Sequence, residues 1–185
     1  MSKSQRGGES LELSAGPLGT LAFHWEHDRY VHAWHFPGPA AEPPRLRSIE
    51  SDSHVAWPAS PPLQQIHQQA FGDGREVVFG VGMAGRGHWS ASFTLVPDLK
   101  CWIVELACRA AVTPELLLSS YRLSGIWEPL AGGGFMSSIG PAALQVEPIA
   151  PTAVASLSGD VLQVAPACPL DSAATLQWAF RLRVA

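Results

Sequence analysis

A chain of 185 residues, 46% of them apolar and only 15% charged, fits one folded domain and excludes intrinsic disorder. Twelve Lys and Arg against sixteen Asp and Glu leave a net charge of −4 with no basic run, so the electrostatic footprint of a nucleic-acid binder is missing. Seventeen Gly, sixteen Pro and seven Trp suit a sheet protein with many turns better than a helix bundle. A domain of this size buries roughly 70% of its unfolded surface and needs no disulfide or metal to hold a core.

Residues 1–10 are polar, carry Lys3 and Arg6, and lack the apolar run of a signal peptide. They are expected to be a flexible N-terminal tail, with 11–185 forming a single β domain. No run of eighteen apolar residues occurs, so no membrane span is expected and the cytoplasm is the expected location.

Strand signals begin at 11–13 and become strong over 20–36. If His27 and Asp28 form a two-residue hairpin loop, Glu26 faces Arg29, Trp25 faces Tyr30, Phe23 faces His32 and Leu21 faces Trp34. One register then gathers the bulky aromatics on one face and puts an opposite-charge pair beside the turn. His-Asp lacks the Gly that such a turn prefers. The Pro-rich stretch 37–44 reads as a loop and 45–50 as a short strand.

Residues 63–71 are ambiguous. Leu63, Ile66 and Ala70 have helical spacing, but Gly72-Asp73-Gly74 looks like a hairpin loop into a strand at 76–81, which favours a strand. Gly80-Val81-Gly82-Met83-Ala84-Gly85 matches the letters of a dinucleotide-binding fingerprint. The fingerprint needs a helix N-terminus to meet a pyrophosphate, and an alternating strand follows instead. A loop with several positive-φ glycines is expected there.

The second hairpin turns at Pro97-Asp98-Leu99-Lys100, with Val96 opposite Cys101. Trp89, Ala91, Phe93 and Leu95 then face Cys108, Leu106, Val104 and Trp102, an apolar face throughout. The other face sets His88 across from Arg109 and Ser92 across from Glu105, with Ser90 between. A helical turn is expected at 114–119, capped by Thr113 with Pro114 in its first position. The Gly-rich 131–134 is a loop. Strands follow at 144–148, 153–157 and 160–165, the last two joined through Ser158-Gly159. Unbroken alternation then runs from Thr175 to Val184. About ten strands and one or two short helical turns result. That predicts an all-β fold, an antiparallel two-sheet sandwich or a partly closed barrel.

Candidate chemistry is sparse. His24, His27, His32 and His35 have metal-like spacing, but the hairpin register disperses them, and no metal or other cofactor is expected. Cys101 and Cys108 lie seven apart on one strand and cannot pair, so three reduced thiols are expected, Cys168 included. His88, Ser90, Ser92, Glu105 and Arg109 are the weak catalytic candidates, although Glu105 stands about four residue steps from His88 and is not placed to orient its ring. Trp57 and Trp127 lie in loops, where an indole either stacks on a ligand such as a sugar or pins the loop to the core. The reading is a non-catalytic binding or interaction domain whose partner is a protein or an extended ligand. A hydrolase around His88 and Glu105 and a carbohydrate-binding module using Trp57 and Trp127 are the alternatives.

Overall fold

The computed structural model describes residues 3–6, 10–37, 43–140 and 142–185. In chain order the strands are β1 (Lys3–Arg6), β2 (Leu11–Ser14), β3 (Thr20–Glu26), β4 (Arg29–His35), β5 (Leu46–Ser48), β6 (Gln65–Ala70), β7 (Glu76–Ala84) and β8 (Gly87–Val96). They continue as β9 (Cys101–Ala110), β10 (Ser119–Leu123), β11 (Glu128–Pro129), β12 (Phe135–Ile139), β13 (Ala142–Pro148), β14 (Ala153–Ser158), β15 (Val161–Pro166) and β16 (Thr175–Val184). The larger sheet has the order β1-β6-β7-β8-β9-β16-β13-β12-β11 and the smaller β14-β15-β10-β5-β4-β3-β2. Every pairing is antiparallel, and neither sheet closes on itself. The fold is therefore all-β and an open sandwich, not a barrel. Of the expected tail, 3–6 pair with β6, and 1, 2 and 7–9 lie outside the described residues. Most of the loop expected at 37–44 also lies outside them.

Both hairpins form in the expected register. Glu26 pairs with Arg29 and Leu21 with Trp34 around a His27-Asp28 turn, and His27 takes the positive φ of 58° that a Gly would otherwise supply. Val96 pairs with Cys101 and Trp89 with Cys108 across the turn at 97–100. The inner faces of the two hairpins meet in the core, where Phe23 and Phe93 pack edge to face at 5.1 Å. Within the ambiguous stretch 63–71, residues 65–70 form strand β6, paired with β7, and no helix forms there.

Several expectations need correction. The described residues form sixteen strands, not about ten. The missed β10 is Ser119-Ser120-Tyr121-Arg122-Leu123, whose first three residues are all buried, so it shows no alternation. Residues 114–119 make no helical turn: Leu117 and Leu118 are both buried as the chain runs straight into β10. The short 3-10 turns sit at Gly16–Leu18 and Pro97–Leu99. The β14–β15 turn is Gly159-Asp160, one residue later than expected, since Ser158 pairs with Val161. Glu26 and Arg29 are cross-strand neighbours but not an ion pair: Arg29 engages Asp28, and Glu26 engages Arg47.

The fingerprint-like glycines are not a loop. Gly80 and Gly82 lie inside β7, and only Gly85, at its turn, has a positive φ. A side chain at Gly82 would put its Cβ 1.6 Å from the carbonyl oxygen of Pro62. The glycine is there so that the backbone entering β6 can cross β7 closely. Gly82→Ala is accordingly expected to cost about 1–3 kcal/mol in urea denaturation, as overpacking does.

Candidate functional site

The outer face of the larger sheet holds the residues that the sequence singled out. His88 pairs with Arg109, and Ser92 with Glu105, as expected. Ser92 Oγ donates a hydrogen bond of 3.0 Å to Glu105 Oε2. This contact joins hydroxyl and carboxylate directly, with no imidazole between them as nucleophilic catalysis would need. Ser90, Ser92 and Glu105 share a shallow cavity of about 360 Å³ with Phe79 and Gln177. His88 lies instead at a separate depression beside Gln65 and Met83. The face thus brings together Ser90, Ser92 and Glu105 and leaves His88 and Arg109 apart from them.

The loop indoles face inward. Trp57 is buried in the core cluster, and Trp127 is half-buried against it, its Nε1–H donating 3.0 Å to the Ser124 carbonyl. Both pin their loops. His24 and His35 are exposed, whereas His32 is 2% exposed and shares a 3.1 Å hydrogen bond between its Nε2 and the Tyr121 hydroxyl. Burial holds the His32 ring down at about 3, so it is neutral at physiological pH. Among the described residues no group of three His, Cys, Asp or Glu side chains could hold a metal ion. All three cysteines are free, and burial pushes the Cys108 thiol up to about 11.

The most developed site is elsewhere. Where β3 turns into β4, residues 26–29 face the end of β5 and the segment 50–54 across a cavity of about 510 Å³. The volume lies within the usual range of small-molecule sites, about 300–1,000 Å³. Its lining is polar, and nothing in it is aromatic apart from the imidazoles of His27 and His54. Arg29 is only 2% exposed. Its Nε and Nη2 hold both oxygens of Asp28 at 2.8 and 3.0 Å, a bidentate clamp. Hydrogen bonding from Arg29 holds the Asp28 carboxyl below its ordinary value. At the exposed rim, Arg47 Nη2 meets Glu26 Oε1 at 2.7 Å.

Glu50 is the unusual member. Ser48 Oγ donates 2.7 Å to its Oε1, and the same Ser48 oxygen accepts the backbone N–H of His32 at 3.0 Å. Burial pushes the Glu50 carboxyl up to about 7, against the lowering effect of the Ser48 bond and of the Arg29 charge. Two buried atoms of this pair have no hydrogen-bond partner among the described residues, Nη1 of Arg29 and Oε2 of Glu50. Each such orphan costs about 1–3 kcal/mol.

No known protein-family model matches the chain, and no curated protein matches its sequence. No helix among the described residues is long and apolar enough to cross a membrane.

Sequence reasoning missed this pocket. The register sets Arg29 across from Glu26, as observed, but does not show that its guanidinium turns to Asp28, and the strand expected at 45–50 ends at Ser48, leaving Glu50 beyond it. The available signal was the polar run Glu50-Ser51-Asp52-Ser53-His54 directly after the strand. It had no partner to point to, because the turn it faces is about twenty residues away along the chain.

Proposed function

We propose that this is a non-catalytic binding domain that takes a small polar ligand between the β3–β4 turn and the segment 50–54. One observation supports the reading: a preformed cavity of about 510 Å³ whose lining is polar and carries donors and acceptors together, Arg29, Arg47 and Ser51 beside Glu26, Asp28 and Glu50. A cavity of that size lined by convergent polar groups is the usual form of a small-molecule site. The outer face of the larger sheet supports catalysis less well, since its serine, histidine and carboxylate are not assembled in sequence.

The test is a fragment screen of the isotope-labelled chain by amide chemical shift. Hits are expected to give saturable shifts at residues 26–29 and 47–54. If hits instead cluster at Ser90, Ser92 and Glu105, or if none saturates, the pocket is a structural feature and the reading fails.

A further inference from the structure

We propose that the protein forms a weak dimer through the open edge of its smaller sheet, strand β14 pairing antiparallel with β14 of a second copy about a two-fold axis. This surface is apart from the ligand cavity and does not depend on it. The two sheets leave four edges, β1 and β11 on the larger and β14 and β2 on the smaller. An unpaired edge invites another chain to pair with it, and proteins blunt it with charge, proline or shortness. Three of the four are blunted in this way. β1 carries Lys3 and Arg6, β2 has four residues and carries Glu12, and β11 is only Glu128–Pro129. β14, Ala153-Val154-Ala155-Ser156-Leu157-Ser158, has six residues and neither charge nor proline.

The backbone fixes which groups this edge offers. The Thr152 carbonyl accepts from Ala167 N–H at 2.9 Å, at the start of the ladder that pairs β14 with β15. Bonded residues alternate along an antiparallel strand. Val154, Ser156 and Ser158 therefore bond to β15, while Ala155 and Leu157 turn N–H and C=O to the open side. Ala153 N–H, on that same side, already bonds the Ile149 carbonyl at 3.2 Å, whereas no backbone group among the described residues meets Ala155 or Leu157 there. One register uses these groups together. Ser156 stands opposite its own counterpart, Ala155 exchanges both bonds with Leu157 of the second copy, and Leu157 does the same with its Ala155.

The side chains fit that register. Ala155 and Leu157 point inward and are half-buried against the core at its open end. Self-pairing sets each Leu157 beside an Ala155, large against small, and carries the apolar layer from one copy into the next. On the outer face Val154, 52% exposed, comes to lie opposite Ser158. Charge favours a second copy over a charged partner. β14 and β15 have no ionisable side chain, so two molecules of net charge −4 meet along a neutral strip. Six residues a side are few against the usual number of about 20–30, so the dimer is expected to be weak and to appear as concentration rises.

Sedimentation velocity of the full chain, from micromolar to submillimolar concentration, is expected to show the mass rising from 19.8 kDa toward twice that value and stopping there. Ser156 is exposed in the monomer, and Ser156→Lys sets two ammonium groups face to face on the axis. Dimerisation is expected to weaken at least about tenfold, with the melting temperature of the monomer unchanged. Cross-linking reads the register, in a Cys168→Ser background that removes the exposed thiol. Ser156→Cys brings its two Cα atoms to about 4.5 Å, within disulfide reach, and is expected to cross-link under mild oxidation. Val154→Cys, which faces Ser158, is expected not to. A chain that stays monomeric at every concentration overturns the proposal. So does association that Ser156→Lys leaves intact or that grows past the dimer, and so does equal cross-linking at the two positions.

Discussion

Glu50→Gln is expected to turn a nearly flat stability profile between pH 5 and pH 8 into one that rises by about 2 kcal/mol. Two buried groups drive this, with opposite signs. The His32 pKa falls from 6.5 to about 3 on folding, so the unfolded state binds the extra proton between those values. Stability from His32 is complete above pH 6.5 and is lost as pH falls below it. The Glu50 pKa rises from 4.5 to about 7, so the folded state binds the extra proton in that window. Stability from Glu50 is complete below pH 4.5 and is lost as pH rises toward 7. Over pH 5–8 the two changes are each about 2 kcal/mol and nearly cancel.

The groups facing Glu50 are Arg29, Asp28 and Glu26 from the turn, Arg47 from β5, His54 and Asp52 from its own segment, and Tyr121 from β10. Removing the Glu50 titration leaves the rise from His32. His32→Leu should leave the opposite, a profile that falls. Urea denaturation at half-unit pH steps reads both slopes. Parallel profiles for the wild type and Glu50→Gln would show that Glu50 titrates as an ordinary surface carboxyl.

Phe180→Ala is expected to cost about 3–5 kcal/mol, a large part of a domain's net stability. Phe180 is fully buried in β16, packs edge-on to Tyr121 at 5.7 Å, and pairs across the sheet with Val104 and Pro148. Truncation removes the transfer energy and leaves a cavity between two sheets that cannot collapse far. Arg181, one step along, points outward. Its Nε donates to Glu147 Oε2 at 2.8 Å, with 43% of the arginine side chain exposed. A half-exposed pair of this kind contributes little, so Arg181→Ala should cost at most about 1 kcal/mol. Equal losses at the two positions, measured by paired chemical denaturation, would contradict the inward and outward alternation of β16.

What was legible in the sequence was local. The registers of the two hairpins follow from side chains that alternate around a short turn, and β16 follows from ten residues of unbroken alternation. Period two reveals which way a side chain points but not what lies over it. Val31, Ala33 and Arg29 point away from the sandwich core on β4 and are nevertheless buried. Beside Arg29 and Val31 the wall is residues 50–54, a segment whose ends are held by Ile49 N–H on the Ser120 carbonyl, Ser120 N–H on the Ala59 carbonyl and Tyr30 N–H on the Leu63 carbonyl. Those are contacts between distant parts of the chain, made by backbone groups that carry no side-chain signature. The same wall makes the pocket, which is why the hairpin could be read and the site on it could not. β10 stayed hidden for a related reason: with small serines buried on both sides, it has no polar face to alternate with.

The placement of β16 has a consequence for how the protein is made. It is inserted between β9 and β13, and it alone joins the β1–β9 part of the larger sheet to the β11–β13 part. β9 therefore has to wait for a partner that lies far downstream, with β10 to β15 emerging in between. During that interval both β9 and β13 are open edges beside apolar side chains, the arrangement most prone to pairing with another nascent chain. With so many contacts between residues distant in sequence, folding is expected to be slow, in milliseconds to seconds. Yield in cells should then depend less on final stability than on how well those two edges are shielded until β16 arrives.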